Sequence, residues 1–155
     1  LVLDADGINA LAGHMDEWER RRGRVTVLTP HEGEFLRVGG NLSQGRTAAA
    51  EDFARRSEAV VVLKGPGTVV AGPDGRCRVN TTGNCGMAKG GSGDVLSGVV
   101  LALLGLGMDA FDACCCAVWL HGRAGDLAAQ EKGQWGMTPT DLLERLPQAL
   151  REVTE

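Results

Sequence analysis

Short apolar runs alternate with amphipathic segments along the first part of this chain. Three runs have the length and composition of buried strands, at residues 1–4, 25–28 and 59–63. Segments with helical character lie between them, at residues 6–15, 31–38 and 43–56, the last with Ser43 as its expected N-cap. Because strands that alternate with helices form parallel sheets, the pattern predicts an α/β fold with a mostly parallel central sheet.

The second part of the chain predicts a hairpin and then three helices. Two short β-like segments, residues 68–71 and 77–80, flank the turn sequence Gly72–Pro73–Asp74–Gly75. Apolar helices are expected at residues 94–106 and 110–130, and a last one starts at Thr138–Pro139, with Pro147 expected to break or kink it. With no repeat and no linker, residues 1–155 are interpreted as one domain. The chain starts with Leu inside a strand, so we expect the N-terminal part of the fold to be missing from it.

Composition and charge exclude several classes of function. Hydrophobic residues make up 43% and charged residues 23% of the 155 positions, as in globular proteins. The net charge of −4 gives no reason to expect nucleic acid or an anionic membrane as a partner. No apolar run is long enough to span a bilayer, and the given sequence shows no signal-peptide pattern, so none is expected. The five cysteines form no CxxC pair, which argues against a protein metal site and favours reduced thiols in the cytoplasm.

Glycine is the outlier in the composition. The chain has 23 glycines, and the densest group lies at residues 83–98, directly before an apolar helix. Successive backbone N–H groups in such a loop, together with the start of a helix, form a site for phosphate. The loop is not a Walker A motif, because GxxxxGK[ST] does not occur.

Polar residues follow each predicted strand of the parallel sheet. They are expected to gather at one rim, where ligands bind in α/β folds, and they are Asp4 and Asp6, Thr29 and His31, and Lys64. Lys64 can meet a phosphate as a point charge, or can be a solvated lysine at a strand end. His31 can be an ordinary helix-start residue, and Glu32 and Glu34 can favour a helix start or orient Mg²⁺ through water. His121, inside an apolar helix, is interpreted as a core residue.

Asp94 is the strongest candidate for a catalytic group. A carboxylate in the first turn of a helix stays ionised and can accept a proton from a hydroxyl held beside a phosphate. The alternative is that Asp94 only caps the helix, a contribution of about 1 kcal/mol. The glycines before it favour the catalytic interpretation, because a cap alone does not need them.

Four segments together resemble one protein family, the NAD(P)H-hydrate dehydratases of the ribokinase-like superfamily. They stand in the family's order and are LDADGINAL from residue 3, LTPHEGEF from residue 28, VLKGPGT from residue 62 and GMAKGGSGDVLSG from residue 86. The resemblance implies a ribokinase-like fold with helices on both faces of the sheet, of which this chain is the C-terminal portion. Cys85 and Lys89 depart from the pattern, which has proline and threonine there.

The resemblance implies a reaction in nicotinamide nucleotide repair. Such an enzyme phosphorylates the hydroxyl of hydrated NADH or NADPH from ADP or ATP, with Mg²⁺ expected, and then eliminates phosphate. Asp94 matches the catalytic and substrate-binding aspartate, and His31 and Asn9 match the substrate side. The residues that match nucleotide-binding positions are Lys64, Gly65, Pro66, Gly67, Thr68, Gly90, Gly91, Ser92 and Gly93.

Two other functions stay open at this point. A small-molecule kinase of the same superfamily, acting on a sugar or a vitamin-precursor alcohol, would use the same loop and the same aspartate. A nucleotide-binding fragment without turnover is the other alternative, because the expected missing portion helps to build the dinucleotide site in the family. An uncovered apolar surface or sheet edge predicts that the chain forms a homo-oligomer.

Overall fold

The computed structural model describes residues 1–14 and 20–154. A five-stranded sheet in the order β1-β2-β3-β4-β5 forms the centre of the fold, with strands Val2–Leu3, Val27–Leu28, Val60–Leu63, Val69–Ala71 and Cys77–Val79. The first three strands pair in parallel, and β4 and β5 add an antiparallel hairpin, so β4 alone runs in the opposite direction. The prediction of a mostly parallel sheet with an added hairpin is confirmed.

Helices cover both faces of the sheet. Alternate strand residues point to opposite faces: Leu28, Val61 and Leu63 point to one, Val27, Val60 and Val62 to the other. The first face packs against α1 (Ala5–Asn9), α2 (Glu32–Arg37) and α3 (Arg46–Ser57). The second face packs against α4 (Ser92–Gly105) and α5 (Ala110–Gly136).

The last helix, α6 (Pro139–Thr154), lies on α5 rather than on the sheet. Gly133 leaves the helical conformation at φ 71° and bends the end of α5. Pro147 does not break α6, because the helix continues through this residue, so that part of the prediction is wrong, while a kink at Pro147 stays a prediction. Leu146 and Ala149, on either side of the proline, both pack in the cluster formed with α5, and this packing holds the helix together.

Several helix boundaries differ from the sequence prediction, among them the end of α5, which lies at Gly136 rather than at residue 130. Helix α1 ends at Asn9, where a helix to residue 15 was expected, and Met15 itself lies outside the described residues. Ser43 is not the N-cap of α3, because the helix starts after Gly45, whose φ of 87° suits only glycine. Helix α4 starts at Ser92, two residues earlier than expected. Across the described parts of the chain, no helix is long and apolar enough to cross a membrane.

Candidate active site

The ends of β1 and β3 meet in an ion pair at one rim of the sheet. Lys64 Nζ lies 2.5 Å from Asp4 Oδ1, and both side chains are mostly buried. A second carboxylate, Glu34 Oε2, lies 3.9 Å from the same ammonium. Burial raises the pKa of Asp4, but the hydrogen bond and charge of Lys64 outweigh it and the net pKa is lowered. The rim predicted from the ends of the strands is therefore a charged cluster with an anionic Asp4.

Helix α4 contributes two residues to this cluster. Ser97 donates a hydrogen bond to Asp4 Oδ2 at 3.0 Å. Gly93, one helical turn earlier on the same face, lies so close that an added Cβ would be 3.3 Å from Asp4 Oδ2 and 3.5 Å from Lys64 Nζ. The loop of residues 90–93, which we call the glycine loop, and the loop of residues 64–68 are far apart in the sequence. They meet at Gly93 and Lys64.

The backbone before α4 combines a left-handed glycine with a helix start. Gly91 has φ 95° and ψ −20°, and the helical Ser92 follows directly. The Ser92 N–H is bonded to the Lys89 carbonyl at 3.2 Å, and the helix start adds a partial positive charge that favours an anion. Apart from its chain neighbours, no atom of the described residues lies within 4 Å of the position of a Cβ on Gly90, so the loop is open on that side.

Asp94 lies in the first turn of α4, next to this loop. The N-cap of α4 is Gly91 without a side-chain hydrogen bond, so the alternative that Asp94 caps the helix is wrong. Its carboxylate is exposed and, among the described residues, makes no hydrogen bond or ion pair. A carboxylate with unused acceptor positions at this place can take a proton from a bound hydroxyl.

His31 is both a helix-start residue and a member of the rim. Its Nδ1 accepts from the backbone N–H of Glu34 at 3.2 Å, and the Glu34 side chain accepts from the His31 backbone N–H at 2.8 Å. This capping box fixes the start of α2. The backbone of His31 pairs with that of Lys64, and its side chain remains 58% exposed, so it can contact a ligand at the rim.

The loop after Lys64 is held by Arg46 from α3. The guanidinium donates to the carbonyl oxygens of Leu63 at 2.9 Å, Lys64 at 3.0 Å and Pro66 at 2.5 Å. Inside the loop, Thr68 Oγ1 donates to the Gly65 carbonyl at 3.1 Å. Gly65 has φ 147° and Gly67 has φ 62°, both in the left-handed range that favours glycine. The loop of residues 64–68 is therefore shaped before any ligand binds.

His121 of α5 supports the first residue of α4. Its Nε2 lies 2.9 Å from the Ser92 carbonyl oxygen, and the residue is buried as predicted. Burial lowers the pKa of His121 to about 4, with Lys64 adding to the effect. The ring is therefore neutral at pH 7 and donates its Nε2–H to Ser92. The Oγ of Ser92 is buried without a hydrogen-bond partner among the described residues.

One predicted site residue is not brought into this cluster. Asn9, at the end of α1, accepts a hydrogen bond from the guanidinium of Arg37 on α2. Its side chain is thus engaged in joining two helices. The contacts of Asn9 give no direct support to a substrate contact, which stays a prediction.

Sequence reasoning assigned no role to three residues of the site: Asp4, Ser97 and Arg46. Asp4 was placed at the rim, but its pairing with Lys64 follows only once the strand order is known. Ser97 could have been found, because it lies four residues after Gly93 on the same helix face. Arg46 gives no local signal, since the carbonyl groups that it binds lie 17 to 20 residues away in the sequence.

The residues at the rim fit a nucleoside diphosphate or triphosphate. Gly93 leaves a space that a Cβ would fill, next to the Lys64 ammonium, so a phosphate can approach the backbone closely. The described residues contain no group of three side chains that could hold a metal ion. A Mg²⁺ ion here would be held mostly by phosphates and water, which is its usual coordination with nucleotides.

Comparison with known proteins gives the same family as the motifs. The model of the family described as NAD(P)H-hydrate dehydratase (Carb_kinase) matches residues 1–148. A bifunctional NAD(P)H-hydrate repair enzyme of Thermofilum pendens is 46% identical over the whole chain, which spans 30% of that relative. The ADP-dependent (S)-NAD(P)H-hydrate dehydratase of Bacillus subtilis is 40% identical over 95% of this chain, which spans 52% of that protein.

Solved structures agree in fold. The ADP/ATP-dependent NAD(P)H-hydrate dehydratase from Bacillus subtilis, co-crystallised with ATP and Mg²⁺, matches 97% of this chain with a TM-score of 0.85 and 38% identity, and the match covers 54% of that chain. A ribokinase-like superfamily protein from Enterococcus faecalis matches 98% of this chain with a TM-score of 0.80 and 26% identity, over 52% of its own length. The predicted ribokinase-like fold is confirmed, and the chain belongs to the NAD(P)H-hydrate dehydratase family.

Proposed function

We propose that this chain carries the nucleotide-binding and catalytic part of an ADP- or ATP-dependent NAD(P)H-hydrate dehydratase, an enzyme of nicotinamide nucleotide repair. One observation carries the proposal. The unpartnered carboxylate of Asp94 follows Gly93, and Gly93 lies directly on the Asp4–Lys64 pair at the start of α4. The candidate proton acceptor therefore directly follows, in the sequence, the glycine that lies against the Lys64 ammonium.

Different residues of the chain have separate roles in the proposed reaction. The nucleotide supplies a phosphoryl group. Backbone N–H groups around Gly91 and at the start of α4, with the Lys64 ammonium, stabilise negative charge on its phosphates. Asp94 accepts the proton of the substrate hydroxyl as that oxygen attacks the terminal phosphorus, and AMP (from ADP) or ADP (from ATP) is the leaving group. The phosphate then leaves with the oxygen while the adjacent ring carbon loses a proton to water, and the nicotinamide ring regains its double bond.

The remaining nucleotide contacts are proposed from the same geometry. Residues 64–68 form a loop shaped by Arg46, and residues 90–93 form the glycine-rich backbone that leads into α4. Both loops meet at Lys64 and Gly93, so one nucleotide can contact both. His31 lies beside Lys64 with an exposed side chain and is proposed to contact the substrate, as is Asn9.

Assembly and location are part of the proposal. Leu101 of α4 and Leu106, directly after that helix, are 59% and 80% exposed, and apolar surface of this kind supports self-association. The five cysteines of the sequence are free, and burial raises the pKa of Cys114 to about 12. Unpaired thiols support a reducing compartment, and we propose the cytoplasm.

Two measurements on the purified chain test the function. Titration calorimetry with ADP and with ATP, each with Mg²⁺, is expected to show binding at a single site. Incubation with hydrated NADH and either nucleotide is expected to restore the absorbance of the reduced nicotinamide and to release free phosphate. A stable phosphorylated product would instead indicate a small-molecule kinase, and nucleotide binding without turnover would indicate a binding fragment.

A further inference from the structure

Lys89 directly precedes the glycine loop of residues 90–93, but its side chain is directed to the end of α5. Its Nζ lies 2.5 Å from the Met137 carbonyl oxygen, 3.0 Å from that of Trp135 and 3.4 Å from that of Gln134. A lysine beside an anion-binding loop would ordinarily be taken as a phosphate contact. Here its donors are used by three backbone carbonyl groups.

The end of α5 is well suited to hold an ammonium group. Carbonyl groups in the last turn of a helix have no partner within the helix and carry a partial negative charge. The conformation of Gly133, with φ 71° and ψ 157°, interrupts the regular helix just before these carbonyl groups. A lysine ammonium has three N–H donors, so it can serve several of these acceptors together.

Gly86 and Gly91, on either side of Lys89 in the sequence, pack against residues 134–139. We call this segment the loop seat. A Cβ on Gly86 would lie 2.5 Å from the Gln134 carbonyl oxygen, and one on Gly91 would lie 3.2 Å from Pro139 Cγ. The loop seat is itself held in shape: Asp141 accepts from the Thr138 N–H at 2.7 Å and from Lys132 at 2.5 Å. The glycine loop thus rests on a rigid surface on both sides of Lys89.

We propose that Lys89 is a positioning residue that fastens the glycine loop to the loop seat and so orders Gly90–Gly93 for the nucleotide. The inference rests on the proposed function for its consequence, which is tighter nucleotide binding. A loop that is ordered in the free protein loses less conformational entropy when the ligand binds. Lys89 acts through the backbone that follows it, and not by contact with phosphate.

The test compares Lys89→Met with Lys89→Arg and with a control, Arg123→Met. Methionine keeps an apolar stem without the donors, whereas arginine keeps both charge and donors. Arg123 pairs with Glu152 on α6 at 2.6 Å, so the control removes the same charge from a contact that does not involve the loop. Amide hydrogen exchange of residues 87–92 is measured without nucleotide, with the peptide of β3 as an internal reference. ADP affinity is measured by calorimetry.

Lys89→Met is expected to speed exchange in the loop about tenfold and to weaken ADP binding about fivefold to tenfold, the loss of roughly one charged hydrogen bond. Lys89→Arg and Arg123→Met are expected to remain near wild type in both measurements. Unchanged loop exchange in Lys89→Met overturns the proposal, and if ADP affinity still falls, the lysine acts directly on phosphate. Equal effects of the methionine and arginine variants also overturn it. Failure of the wild type to bind ADP contradicts the proposed function, while the exchange data still decide the role of Lys89.

Discussion

Lys64 and Asp4 join the ends of β3 and β1, the two strands on either side of β2, with 2.5 Å between Nζ and Oδ1. Gly93 of α4 lies against both side chains, and Ser97 of the same helix donates to Asp4. The pair therefore connects β1, β3 and α4 at the point where the two candidate nucleotide loops meet. Changes to either residue are expected to affect the stability of the fold as well as the binding of nucleotide.

The first prediction concerns the coupling between these residues. Lys64→Met leaves a mostly buried carboxylate without its cation, and Asp4→Asn leaves the ammonium with the more distant Glu34. Each change is expected to lower the free energy of unfolding by about 2 kcal/mol, and the double variant by about 1 kcal/mol less than the sum. Urea denaturation at pH 7 measures all three. Strictly additive effects would show that the pair does not contribute as a unit.

The second prediction concerns the space at Gly93, next to the Asp4–Lys64 ion pair. Gly93→Ala places a methyl group 3.3 Å from Asp4 Oδ2 and is expected to weaken ADP binding by more than about tenfold, because backbone and phosphate cannot approach closely. Gly98→Ala on the same helix is the control. Apart from the neighbouring backbone of α4, its methyl group meets no atom of the described residues within 4 Å, and it is expected to stabilise the helix by about 0.5–1 kcal/mol. Similar ADP affinities of the two variants in calorimetry would place the phosphate site elsewhere.

The third prediction concerns pH. Because the pKa of His121 is lowered from 6.5 to about 4, the folded protein favours the neutral ring. The resulting stability is fully present above pH 6.5 and is lost as the pH falls toward 4. Between pH 7.5 and pH 5 the loss from His121 is about 2 kcal/mol.

The difference between wild type and His121→Gln isolates this effect from the other two histidines of the chain. Urea midpoints at the two pH values are expected to fall more in the wild type than in the variant. If the variant does not fold, NMR of the wild-type imidazole gives the same information. A ring that titrates near pH 6.5 would contradict the buried, neutral donor to Ser92.

The fourth prediction concerns assembly. The exposed side chains of Leu101 in α4 and of Leu106 directly after it are expected to make the chain self-associate at high concentration. Leu106→Lys, at a side chain that is 80% exposed, is expected to shift the equilibrium toward monomer, whereas Leu143→Lys on α6 is expected to leave it unchanged. Light scattering over a concentration series measures this. A wild-type chain that stays monomeric would remove the basis for a homo-oligomer.

The sequence predicts the rim of the sheet, because polar residues directly follow strands whose order and direction obey general rules. It also predicts the glycine loop and the placement of Asp94 at the start of a helix. It does not predict the contacts of Arg46 and Lys89, since each binds carbonyl groups in loops whose conformation is set by distant residues. The start of α3 at Gly45 is missed for a similar reason: no side chain caps this helix, so its first turn leaves no residue-type signal.

Asp94 as the proton acceptor is the central claim, and Asp94→Asn tests it most directly. The carboxylate makes no contact within the described residues, so asparagine is expected to leave the urea midpoint and ADP affinity almost unchanged. Loss of a general base costs about 10²- to 10⁴-fold in rate.

The measurement is the return of reduced-nicotinamide absorbance from hydrated NADH, with ADP and then with ATP. It uses a chain whose wild type turns over, and Asp112→Asn, at an exposed first-turn residue of α5, serves as the control. The account predicts that Asp94→Asn loses at least about 99% of turnover while binding ADP like the wild type, and that the control keeps its activity. A folded Asp94→Asn variant that retains more than about a tenth of wild-type turnover would contradict it, because the proton acceptor would then be another group.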